Sequence, residues 1–219
     1  MSNVRRVVGM LVKGCLLGAC VVPAVMSGAA AFGLAAPEPE AIPRRWQLDV
    51  KTGPLRLARI AGADGSVKTY FYMTYRVVNK TGEDVLFAPS FELANGEGEV
   101  LRSGRGVSIE AANKIQADLQ NSFLEDQISI LGMLLQGEEN ARDGIVIWPA
   151  NDLNVSEVTV YAAGFSGEVA TVTAKDPKTG QSQRVPLYKT LMMRFSTGGD
   201  LTQRGSEPLE ASETKWVMR

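Results

Sequence analysis

Few residues in this chain are able to do chemistry. Histidine is absent from all 219 positions. That excludes Ser-His-Asp and Cys-His catalysis, and zinc sites built on imidazole. Phosphate cradles are missing as well. No G-x-x-x-x-G-K stretch occurs, and Gly104-Arg105-Gly106 is too short for a nucleotide loop. Carboxylates are the remaining acid/base candidates. Glu138, Glu139 and Asp143 lie close together, as a divalent-ion site or an acid/base pair would require. A calcium loop sets its ligands at fixed offsets, and this run does not. With Asn140 and Arg142 beside them, the three read as a solvated turn. Asp64-Gly65 and Asp176-Pro177 read as turns too. The sequence thus predicts no catalytic residue, no metal ligand and no cofactor, and the chain reads as non-enzymatic.

Two further features bear on binding. Tyr70 and Tyr72 fall on one face of a strand, opposite Phe71 and Met73. Left exposed, the two rings would form a platform for a sugar, which makes them the tentative ligand face. The alternative is that both faces of the strand are covered. The run Ile130 to Leu135 is apolar nearly all round. It reads as a helix packed on a sheet, or as a partner-binding or membrane-touching helix. Asn79-Lys80-Thr81 and Asn154-Val155-Ser156 match glycosylation acceptors and read as turns.

The elements that must position these residues are mostly strands. Gln47–Val50 and Leu55–Ile60 flank the turn signal Thr52-Gly53-Pro54. Val67–Asn79 alternates with period two and is rich in aromatic and β-branched residues, the pattern of a half-buried strand. Val85–Leu93 continues in β character, and Pro89 predicts an edge or a bulge there. Glu99–Arg102 is a short strand. Between Ser108 and Gln136 the alternation stops. Ala112, Ile115, Leu119 and Phe123 recur at helical spacing, and so do Leu124, Ile128, Leu131 and Leu135. The spacing predicts two consecutive helices, with Ser108 as N-cap and Gly137 as stop. Strands resume at Gly144–Trp148, Ser156–Ala163, Val169–Ala174, Gln183–Leu187 and Tyr188–Ser196. Three successive apolar residues, Ile145 to Ile147, predict an interior strand with cover on both faces. The stretch Gly198–Ala211 reads as polar and loose, and Trp216-Val217-Met218 as an ending that docks on the domain. Seven to ten short strands with one helical insertion predict a β-sandwich.

The N-terminus predicts an address. Arg5 and Arg6 precede an apolar run, and no charged residue lies between Gly14 and Ala36. Ala29 with Ala31, or Gly33 with Ala35, suits signal peptidase. An uncleaved membrane anchor is a second reading, since the run is long enough to span a bilayer. A lipidated Cys20 behind Leu17-Gly18-Ala19 is a third. All three place the domain outside the cytosol. Both cysteines, Cys15 and Cys20, fall inside this segment, so no disulfide is expected beyond it. Losing it also removes Arg5, Arg6 and Lys13 and leaves an acidic remainder. With no basic stripe, nucleic acid is excluded as a partner.

The order of segments resembles a known group. The strand Tyr70 to Asn79 with the turn Lys80-Thr81-Gly82-Glu83, the pair Gly144–Pro149 and Val158–Tyr161, the segment Phe165–Glu168 and the ending Lys215–Arg219 carry the likeness. They resemble secreted bacterial proteins of the planctomycete type with an immunoglobulin-like β-sandwich domain. The resemblance implies a fold and an address, and no activity. The expected organisation is a signal peptide or membrane anchor over 1–36, a linker over 37–43 and a domain over 44–219. The domain is a mainly β, immunoglobulin-like β-sandwich with a two-helix insertion at about 108–136. The expected role is a structural or interaction module of the cell envelope whose partner is an envelope protein or a glycan. The alternative is a ligand-binding module that uses Tyr70 and Tyr72 or the helix–sheet groove. Membrane contact is expected only through residues 14–36, if they are retained.

Overall fold

The computed structural model describes residues 36–62, 65–176, 179–205 and 207–219. The signal, anchor and lipidation readings of the first 35 residues, and both cysteines, lie outside the described residues. So do Ala63, Asp64, Pro177 and Lys178 of the two predicted turns.

The architecture is mainly β with one short helix. In chain order the strands are β1 (Asp49–Thr52), β2 (Arg56–Ala61), β3 (Val67–Asn79), β4 (Val85–Phe87), β5 (Ser90–Asn95) and β6 (Val100–Arg102). Helix α1 (Ile109–Asp118) follows. After it come β7 (Leu124–Glu125), β8 (Gly132–Leu134), β9 (Gly137–Pro149), β10 (Asn154–Ala163), β11 (Val169–Lys175), β12 (Ser182–Asp200) and β13 (Glu213–Met218). One sheet runs β1-β3-β9-β7, with β2 also paired to β3. The other runs β11-β12-β10-β5-β6, with β13 on β12. Strands β4 and β8 form a separate two-stranded ribbon. Pairing is antiparallel except for the short β7–β9 contact.

The alternation in β3 does what period two requires. Phe71, Met73, Tyr75 and Val77 point to one side and are buried. They meet Phe91 and Leu93 of β5, Val158 and Val160 of β10 and Met193 and Phe195 of β12 in one core shared by the two sheets. Tyr75 and Phe165 stack edge to face at 5.8 Å. The opposite side of the first sheet forms a smaller cluster, where Tyr70, Ile145 and Ile147 pack under Ala111 and Ile115 of α1. Strand β9 is therefore covered on both faces, with Val146 and Trp148 turned to the main core. Laterally, β3 lines its whole apolar run, while β7 reaches only Gly144 and the loop amide of Gly104 binds Ile147.

The two-helix insertion is corrected to one helix and a ribbon. Ser108 caps α1 through its hydroxyl, which accepts the Ala111 N–H at 3.2 Å. The helix stops at Gln120, whose φ of 51° is left-handed. Asn121 and then Asp126 take backbone N–H groups onto their side chains and turn the chain twice more. From Ile130 onward the period is two. Ile130 and Leu134 are buried, whereas Leu131, Met133 and Leu135 face out. The apolar spacing fits a helix as well as a strand, and these polar turn-formers decide between them. Gly137 does not stop a helix; it opens β9 with a φ of 104°.

Other boundaries shift too. Residues 138–143 belong to β9 and are not a turn. Gln183–Leu187 and Tyr188–Ser196 are one strand, β12. The stretch after it is tied down: Leu201 and Leu209 are buried, and Leu209 exchanges two backbone hydrogen bonds with Leu55. Trp216 to Met218 dock as part of β13, as expected. Residues 37–43 do not hang free. The Glu40 N–H donates to Glu168 Oε1 at 2.8 Å, and Lys189 Nζ donates to the Glu40 carbonyl at 3.2 Å. Among the described residues no helix is long and apolar enough to cross a membrane.

Candidate functional site

A groove opens where α1, the 103–108 loop and the 126–128 turn meet the outer face of β9. Its volume is about 290 Å3. Ile145 and Ile147 line it, and both are buried. Ile109 and Ile128 also line it but stay 75% and 72% exposed. Large apolar side chains so exposed beside a cavity are unusual for a finished core. One polar group stands out. Ser103 is buried, its N–H donates to the Phe91 carbonyl, and its Oγ has no hydrogen-bond partner. Buried hydroxyls are ordinarily paired, and this one is an unpaired polar atom sealed inside the wall of the groove.

The elements around the groove hold it open. The loop passes through two left-handed glycines, Gly104 and Gly106. The first is also crowded by the flexible end of a neighbouring side chain. A Cβ at Gly104 would lie 1.8 Å from Gln127 Nε2, so the Gln127 side chain lies directly on its backbone. The 126–128 turn is set by Asp126, whose Oδ1 accepts the N–H groups of Ile128 and Ser129 and whose Oδ2 accepts the Ser129 hydroxyl. Burial alone would raise the Asp126 carboxyl, but these three hydrogen bonds outweigh it and hold the group below its usual range, ionised. Arg142 of β9 reaches across the next segment. Its guanidinium bonds both oxygens of Glu125 and the carbonyls of Ser129 and Ile130. Ser103 and Gln127 line the groove and Arg142 braces the segment beside it, and nothing in the spacing of residues pointed to the first two. Arg142 was visible only as a cation near acidic residues.

The residues singled out from sequence go elsewhere. Tyr70 is 4% exposed and Tyr72 half-buried, and both rings pack in the cluster under α1. Only Tyr72 keeps part of its ring open on that face. Two of the three carboxylates, Glu138 and Asp143, pair with separate cations. Glu138 meets Lys80 at 2.7 Å, Lys80 also meets Asp49, and Asp143 pairs with Arg76 at 3.0 Å. Lys80 draws the Glu138 carboxyl below its usual range. No acidic group suited to a metal occurs among the described residues. Asn79 is fully buried. Its Nδ2 donates to the carbonyls of Glu83 and Leu134, and its Oδ1 accepts from the Thr81 N–H and hydroxyl. In the folded chain it is a structural hub and has no amide hydrogen to spare for a glycan.

A second cleft, of about 670 Å3, lies between residues 36–43 and β13, where Lys189 and Trp216 line it. Lys189 is 2% exposed and pairs with Glu168 at 2.8 Å. Its ammonium also lies 5.7 Å from the Trp216 ring centre. Compared with family models, with curated proteins and with solved structures, the chain matches none.

Proposed function

We propose that this chain is an exported, non-enzymatic interaction module of the cell envelope, built on an immunoglobulin-like β-sandwich. Its contact surface is the outer face of the β4–β8 ribbon. The distribution of exposed apolar residues carries this reading. Half of the large apolar side chains left exposed among the described residues fall within 109–135. On the ribbon, Leu86 and Met133 sit opposite each other across the strands, with Leu131 and Leu135 flanking Met133. A cluster of that kind marks a contact surface more often than it does free surface. The inner residues Val85, Phe87 and Leu134 fix the ribbon on the fold, so the outer ones are presented rigidly. Crosslinking of the exported protein in its cell envelope tests the reading. The double variant Leu131→Ser, Met133→Ser should melt like wild type and lose the crosslinked partner. Recovery of the same partner by both proteins would refute the assignment.

A second reading, a module for a small ligand, is favoured by the groove, beside which Ile109 and Ile128 stay exposed. It uses the helix–sheet groove, one of the two faces expected for such a module.

A further inference from the structure

We propose that the open edge of β11 is a self-association surface, which pairs antiparallel with β11 of a second copy of this chain. The inference lies apart from the β4–β8 ribbon and from the groove. It begins with where the backbone groups of β11 and β12 point. Tyr188 of β12 exchanges two backbone hydrogen bonds with Arg219 on one side, while the backbone N–H of Lys189 donates to the Glu168 carbonyl on the other. Alternation along the strand sets the rest. Leu187, Val185 and Gln183 turn to Ala170, Val172 and Ala174 of β11. Val169, Thr171, Thr173 and Lys175 therefore turn their N–H and carbonyl groups away from β12. All four are exposed, and no strand lies beyond them among the described residues.

Edges of this kind are ordinarily guarded by proline, charge or a bulge. The opposite edge of β12 is guarded, since Pro186 lies there and has no N–H to offer. Strand β11 is not. Its seven residues hold no proline and no charge before Lys175, and its register with β12 is unbroken. Two features select a second copy over a foreign strand. The first is the half-buried apolar side of the hairpin, Ala170, Val172, Val185 and Leu187, which belongs to neither core cluster. A foreign strand would add one strand to it. A second copy doubles it and turns two marginal hairpins into one four-stranded sheet. The second is charge. In the register that overlaps all seven residues, Val172 stands opposite Val172 of the other copy, and Thr171 opposite Thr173 of the other copy. The two Lys175 ammonium groups then lie at opposite ends of the pairing and do not repel.

Sedimentation of the purified chain over a range of concentrations tests this, with hydrogen exchange at the two extremes. The mass should rise from one copy to two, and the Thr171 and Thr173 amides should gain protection as it does. Thr171→Pro removes an outward N–H and spares the pairing with β12, because proline is tolerated on an edge. It should weaken association by about tenfold or more, since the symmetric contact loses two hydrogen bonds. Arg184→Pro makes the same change on the guarded edge and should leave association as it is. A chain that stays single at every concentration would overturn the proposal. So would a dimer that survives Thr171→Pro, or one that both variants abolish. Protection of Thr171 and Thr173 in a single chain would mean that another segment of the same chain covers the edge, and would overturn it too.

Discussion

Asn79 shows how a single side chain fixes a junction. Its four hydrogen bonds join the end of β3, the 80–84 turn and the ribbon strand β8. Replacing it with alanine strands the buried Leu134 carbonyl and frees the turn. Asn79→Ala should cost at least about 2 kcal/mol in urea unfolding, since an unmet buried polar group costs about 1–3 kcal/mol. Asn154→Ala, at an exposed strand start, should stay within about 0.5 kcal/mol. Equal stability of the two would show that the hub carries nothing. The pair of Lys189 and Glu168 makes a second junction. Burial by itself would raise the Glu168 carboxyl. The Glu40 N–H and Lys189 outweigh that and hold it below the ordinary 4.5. A depressed folded value means stability that is complete above the unfolded value and lost as pH falls through the folded one. Wild type should therefore lose stability as acid is added below about pH 4.5, and Glu168→Gln should lack that part of the slope. Superimposable acid-unfolding curves would contradict it. Lys189→Met leaves the Glu168 carboxylate with the Glu40 N–H as its remaining partner, and should lower the melting temperature.

Among the elements, the strands were legible and the insertion was not, for a shared reason. Val67–Asn79 was read correctly to both ends because aromatic alternation over so long a run fits nothing else. Leu124, Ile128, Leu131 and Leu135 fit a helix, while Leu131, Met133 and Leu135 fit a strand, and periodicity cannot choose between them. The choice falls to residues with weak signals, namely a left-handed Gln120, the Asp126 turn and Arg142 reaching back from β9. A groove between helix and sheet was among the expected faces, but its lining was not legible. Its walls come from segments distant in sequence, and only packing brings them together. The helix end itself can be tested. Gln120 pays a steric cost at φ 51° while its N–H binds the Ala117 carbonyl. Gln120→Gly should stabilise the protein by roughly 0.5–1 kcal/mol, because glycine enters the left-handed region freely. A loss of stability would mean that the Gln120 side chain does more than close the helix.

Across the whole molecule, order is unevenly shared. The two sheets meet over one core, but β11 and the first part of β12 extend beyond it as a hairpin. Their apolar side, Ala170, Val172, Val185 and Leu187, is only half-buried and belongs to neither cluster. A two-stranded arm without a second layer is marginal in water. Hydrogen exchange should therefore release the amides of 171–174 and 183–185 well before those of β3 and β9. Equal protection would mean that the arm is held by contacts not seen in the isolated chain.

The docking of Glu40 has a mechanical meaning. The grip is made on the backbone of one residue, with one acceptor for its N–H and one donor for its carbonyl, while its side chain turns away to Arg44. It calls for no particular side chain at position 40, only for a residue other than proline. Tension applied along the chain from the N-terminal side would arrive first at Glu168, just before β11, and at Lys189 of β12. Strand β1 would feel no load until that clasp gave way. The clasp is a fuse: it yields before the first sheet is unzipped, and it can close again when the load is gone.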